Sequence, residues 1–226
     1  RESVPPVLTV TGPVTVKTGG TLSRWATGST NVNVILDGGT MEDEYGGTAT
    51  WNGTVSVNSD SFIAKNSGNM VLNGSISGAG KITSAGGYTA TLNAASPSFT
   101  GAIELTGGIL RLGNASALGL SSGVTVAAGA TLDFASIDMN VNYRNYTIAG
   151  TGASGQNGVL VNSGSTARIQ NLTLTGDAKI HNNGRMDTFG PISGNYVLTK
   201  TGTGDCLAIR GGVTNLAGLV IEQGRV

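Results

Sequence analysis

The chain is predicted to fold as an all-β protein: a single-stranded right-handed parallel β-helix (β-solenoid) of about ten coils of 20–22 residues. Three observations carry the prediction. Strand-like runs return at a period near 21 residues, glycine is in excess, and no single run is long enough to build a core by itself.

The period shows in Ile82, Ile103, Val124, Ile148, Ile169, Phe189 and Ile209, whose gaps are 21, 21, 24, 21, 20 and 20 residues. A second series, Leu92, Leu112 and Leu132, keeps gaps of 20. Each member sits in a run of three to five strand-forming residues closed by Gly, Asn or Ser. Ordering such a unit costs more backbone entropy than its few inward aliphatics return. The unit therefore forms only when stacked, each strand pairing above and below while the aliphatics build continuous ladders. Sharp corners between strands need positive φ, which glycine supplies at least cost. That accounts for 37 glycines in 226 residues, about twice the ~7% norm. Ten coils at ~4.8 Å each would give a rod about 50 Å long. A β-sandwich also repeats strands every 8–12 residues, but it gives no reason for a period near 21.

One domain, 1–226, is expected, because no linker interrupts it. Residues 1–80 read as irregular N-terminal coils or a cap, including "VLTVTGPVTVKTGGTLSRW" and "NVNVILDGG". Pro5, Pro6 and Pro13 suit an edge, since proline cannot donate to a central ladder. Residues 80–226 hold the regular repeat.

Composition narrows the function classes. Charged residues are 12% of the chain and net charge is zero, so charge-driven disorder is excluded. The 13 basic residues are dispersed along the sequence, which argues against a nucleic-acid partner. The single cysteine, Cys206, has no internal disulfide partner and reads as a strand residue. There is no apolar run of ~18 residues and no membrane insertion by this segment is expected. The start, "RESVPPVLTV", carries no signal peptide and reads as processed or excised, and "GLVIEQGRV" stops within the repeat. A piece of a larger secreted protein, or a subunit completed by a neighbour, is the expectation.

The stretch "SFTGAIELTGGILRLGNASALGLSSGVTVAAGATLDF" resembles the autotransporter-associated β-strand repeat, also called the passenger-associated transport repeat. The matching elements are Phe99 and Gly101, Gly-x-Leu-x-Leu-Gly at 108–113, Ala-Leu-Gly at 117–119 and Gly-Ala-x-Leu-Asp at 129–133. A second copy opens with Leu-x-Lys-x-Gly-x-Gly at 198–204 and is truncated before its Leu-Gly close. "YTIAGTGASGQNGVLVNSG" and "LTLTGDAKIHNNGRMD" are similar to the family's intervening coils, and the resemblance weakens before residue 80. It implies a β-helical passenger, secreted or displayed on a bacterial surface, that assists export or extends a functional head. The repeat has no catalytic residues to transfer, and no cofactor is expected.

A site on such a solenoid would use outward residues one coil apart. Arg111 and Asp133, in "LRL" and "LDF", are offset by 22 and would form a surface ion pair. A lyase would need a third group one coil further, near 153–155, where the chain reads "ASG". Glu42, Asp43 and Glu44 beside Tyr45 could bind calcium only if a loop folded them together, and the calcium β-roll signature is missing. His181, the sole histidine, is expected to face outward without a nucleophile. Trp25, Tyr45, Trp51 and Tyr88 could form a glycan-stacking platform, although aromatics buried at a cap or under a loop are the commoner arrangement. Sequons at Asn52, Asn73, Asn114, Asn145 and Asn171 arise readily in this composition.

The expected function is a non-enzymatic extracellular scaffold, a stalk or fibre segment. Its partners would be further coils of the parent protein or a second copy, since exposed coil ends invite head-to-tail pairing. The alternative is a carbohydrate-active, lyase-like or glycan-binding module meeting cell-surface glycans.

Overall fold

Short runs of Val, Ile, Leu and Thr, each closed by a turn, wind into a stack of parallel strands in the computed structural model. The structure describes residues 10–226 apart from 26, 45, 66–67, 136, 138–143 and 165. All pairings between its strands are parallel, and the solenoid makes about nine turns.

Two faces run the length of the stack. One climbs from Thr21–Arg24 through Thr40–Asp43, Ser61–Lys65, Ile82–Gly86, Ile103–Leu105, Val124–Val126 and Tyr146–Gly150. It continues through the first half of Leu172–Asn182 to Ile192–Ser193 and Val213–Thr214. The next face climbs from Gly28–Thr30 by way of Thr89–Leu92, Gly108–Leu112 and Ala130–Asp133 to Leu160–Asn162. The second half of Leu172–Asn182, then Val197–Thr201 and Gly218–Ile221, complete it. The remaining face is paired only near the two ends. Val14–Lys17, Val34–Asp37, Val55–Ser59 and Ile76–Ser77 form one ladder; Thr166–Ile169, Arg185–Thr188 and Cys206–Ile209 form the other.

Register corrects the sequence series in two places. Ile82, Ile103 and Val124 do stand in one column, but the next rung is Tyr146 rather than Ile148. Ile169 and Ile209 belong to the separate three-stranded ladder, where Thr188 occupies the rung between them. Leu92 meets Leu112, but Leu132 stacks on Leu110. The cause is the two-residue strand period: Tyr146 and Ile148 both point inward, so either satisfies an inward pattern. Two pairings are longer than the rest, Leu132 with Leu160 across 28 positions and Tyr146 with Leu172 across 26. The N-terminal third, read as irregular, pairs on all three faces.

A continuous core runs from Val16 to Leu207, mostly aliphatic with Trp51, Phe99, Phe134 and Tyr146 among its members; Phe134 meets Tyr146 edge-on at 5.8 Å. Corner glycines let successive coils touch. A Cβ on Gly74 would lie 1.9 Å from the Gly53 carbonyl oxygen, and Gly78 holds φ at +101 with the Val57 carbonyl 2.2 Å from its Cβ position. At one corner the amides of Asn52, Asn73 and Asn93 donate down the stack to Asn31, Asn52 and Asn73, at 3.0, 2.9 and 2.8 Å. Two of the sequon asparagines are thus rungs of a hydrogen-bonded ladder.

Candidate functional site

Alternation decides what a solenoid shows to solvent, because each inward aliphatic turns its neighbours outward. Arg111 and Asp133 occupy matching positions on adjacent rungs, and Arg111 Nε donates to Asp133 Oδ2 at 2.8 Å. The arginine is half-exposed, whereas the Asp133 side chain is 4% exposed and its Oδ1 accepts the Ala135 N–H at 2.7 Å. The rung beyond is Val161, not 153–155, because the long coil displaces the count. The pair stands without a third charged group in its column.

Thr40–Asp43 is a strand, and this separates the acidic residues rather than gathering them. Asp43 is buried at the rung above Arg24, while Glu42 and Glu44 remain partly exposed; Tyr45 lies outside the described residues. Burial lowers the Arg24 pKa, and Asp43 opposes that shift. Among the described residues no three His, Cys, Asp or Glu side chains come together as metal ligands.

The aromatic platform is not assembled. Trp51 follows Ala49 on the inward side of its strand and is 2% exposed. Arg24 lies 5.9 Å from its ring centroid and donates to the Thr50 and Gly28 carbonyls, both at 3.0 Å. Trp25 and Tyr88 are exposed, but three rungs, roughly 14 Å, separate their coils.

His181 stands between Val161 and Thr201 in its column, with Asn183 Nδ2 3.0 Å from its Nε2. Burial first, then the charges of Lys200 and Lys179, lower its pKa. Lys200 itself occupies the inward column between Ile180 and Ile221, where an aliphatic is expected. Fully buried, its ammonium donates to the carbonyls of Thr201, Gly202 and Gln223 at 2.9, 2.8 and 3.1 Å. Burial lowers its pKa. Cys206 opens a strand, as its surroundings suggested.

The arrangement with most chemical content was not foreseen. On the three-stranded ladder Arg168 is in register with Asp187, whose side chain is 4% exposed. Arg185 Nε reaches both Asp187 oxygens, at 2.9 and 3.1 Å, and Arg210 Nη2 approaches Oδ2 at 3.6 Å. Hydrogen bonding to Asp187 raises the Arg185 pKa. Arg210 also lies 5.4 Å from the centroid of the exposed Phe189 ring. One rung on, Arg225 pairs with Asp205. Coiling thus gathers cations that are dispersed in the chain, correcting the expectation of no basic cluster.

An enclosed apolar cavity between Ile63, Ile82, Leu92, Phe99 and Leu110 holds about 10 Å³, the space of a single water. No helix among the described residues is long and apolar enough to cross a membrane. These features define the class: a parallel β-solenoid whose outward columns hold ion pairs and hydrogen-bond ladders. No family model, curated protein or solved structure matches the chain.

Proposed function

We propose that this chain is a non-enzymatic structural segment of a bacterial surface or secreted protein, a stalk built on repeats similar to the autotransporter-associated kind. The observation that carries the proposal is the unbroken stacking: one core extends from Val16 to Leu207, and each rung pairs chiefly with the rungs next to it. Such a stack grows by adding rungs, and length is its output. At the C-terminal rung Val213, Leu219 and Ile221 hold inward positions yet are exposed, and the strand edge beside them has free pairing groups to offer. A further parallel rung, from the parent chain or from a second copy, would cover them and lengthen the rod.

Electron microscopy of the purified chain, combined with fractionation of cells expressing the parent gene, tests the proposal. Rods or fibres, with the protein in the surface or culture fraction, support it. Compact particles confined to the cytosolic fraction overturn it.

A further inference from the structure

The three-stranded ladder carries more positive charge than its own acids neutralise. Arg185 hydrogen-bonds Asp187 and Arg210 approaches it at 3.6 Å, while Arg168 meets Asp187 in strand register; Asp205, which also acts on Arg185, is paired with Arg225. Arg168 is left with its Nε buried and without an acceptor. Arg168, Arg185, Arg210 and Arg225 against Asp187 and Asp205 leave a surplus of two positive charges on this part of the sheet. The imbalance extends beyond the cluster: residues 144–226 hold seven basic and four acidic side chains, a net +3, against −3 for the preceding residues.

Geometry makes the surplus usable. Asp187 holds Arg185 by its Nε, so that contact does not take up the terminal nitrogens of Arg185, while Arg210 at 3.6 Å is held only electrostatically. Arg168, Arg185 and Arg210 stand on three successive rungs, ~4.8 Å apart along the axis, but at three different positions along the strand, so they spread over a patch rather than around a pocket. Phe189, 39% exposed and flanked by Arg210, adds an apolar ring at the edge of the patch. An acidic polymer that brings several anions and an amphipathic ring face to one patch matches these features. Planar guanidinium groups pair in bidentate fashion with carboxylate or sulfate.

We propose that the face formed by Arg168, Arg185, Arg210 and Phe189 binds an acidic polysaccharide, its carboxylate or sulfate groups on the arginines and a sugar ring on Phe189. The inference does not rest on the scaffold proposal, since a rod that never lengthens could carry the same face. Nucleic acid is the poorer match: duplex binding draws on about 6–10 phosphate contacts, and a surplus of two charges on a chain of pI ≈ 6.8 offers far fewer.

The test is retention of the full chain on immobilised heparin, polygalacturonate, dextran and duplex DNA. Arg168→Gln/Arg210→Gln is compared with Lys17→Gln/Lys81→Gln, which removes equal charge elsewhere; circular dichroism melting checks that both fold. Retention on heparin or polygalacturonate in roughly 50 mM salt, lost at about 0.5 M and absent on dextran, is expected. Heparin retention alone identifies sulfate as the recognised group, and polygalacturonate retention alone identifies carboxylate. The arginine variant should bind at least about tenfold more weakly and the lysine variant less than about twofold, because only the first removes guanidinium groups from this face. No retention on either polyanion, equal weakening by both variants, or retention on DNA alone overturns the proposal.

Discussion

Arg111 and Asp133 are one rung apart and joined at 2.8 Å, but they contribute unequally. Arg111 is half in solvent, whereas Asp133 is buried and also holds the Ala135 amide, whose φ is +51. Arg111→Ala should cost under about 1 kcal/mol, as exposed ion pairs do. Asp133→Ala should cost about 1–3 kcal/mol, because it strands a buried donor. Urea unfolding midpoints of the two variants check the asymmetry; equal losses would place the value in the ion pair alone.

The asparagine ladder makes a positional prediction. Asn73 is bonded on both sides, to Asn52 and Asn93, whereas Asn31 ends the series. Asn73→Ala should therefore cost about twice as much as Asn31→Ala, at roughly 0.5–1.5 kcal/mol per bond lost. Thermal melts of the two variants give the comparison.

Glycines should divide by the space above them. Gly74→Ala drives a methyl into the Gly53 carbonyl and should destabilise by about 1–3 kcal/mol or more. At Gly87 nothing lies within 4 Å and φ is not in the left-handed region. Alanine there should be neutral or stabilise by up to about 1 kcal/mol. Equal melting shifts for both would show that rung contact is not what the corner glycines serve.

Stability should also follow His181. Its folded pKa lies below the unfolded value of 6.5, so the unfolded chain binds the proton more readily. Stability is consequently greatest above pH 6.5 and falls as pH drops toward the folded pKa. His181→Gln should remove that part of the pH dependence. With one histidine in the chain, a single imidazole resonance titrating below 6.5 is a direct check.

Lys200→Met keeps the inward shape but withdraws three donors from the carbonyls of Thr201, Gly202 and Gln223. A loss of about 1–3 kcal/mol is expected, even though methionine suits the column, because buried acceptors are left unsatisfied. Urea unfolding of the variant measures it.

The fold was legible because a coil is a chemical period: Ile82, Ile103 and Val124 do lie above one another. The same count correctly placed Arg111 beside Asp133. It slipped at Tyr146, where alternation offers two inward residues two positions apart and the sequence does not say which one stacks. Trp51 is buried, the commoner arrangement for such an aromatic, because its own strand, with Ala49 inward, turns it toward the core. The arginine face was hidden for another reason. Arg168, Arg185 and Arg210 are 17 and 25 residues apart, on a face whose ladder is interrupted in mid-chain, so neither tracked series passed through them. An outward register built from Ile169 and Ile209 would have found them.

The 28-position coil between Leu132 and Leu160 has a practical meaning. Tyr146 likewise meets Leu172 across 26 positions with a register slip between Ile148 and Gly150, so the surplus lies between Gly150 and Leu160, and Ile180 returns to Leu160 at the ordinary spacing of 20. The molecule therefore behaves as a spine with a side port: foreign peptides spliced into that excursion should be displayed at a fixed height along the rod, and shortening it should leave the spine intact.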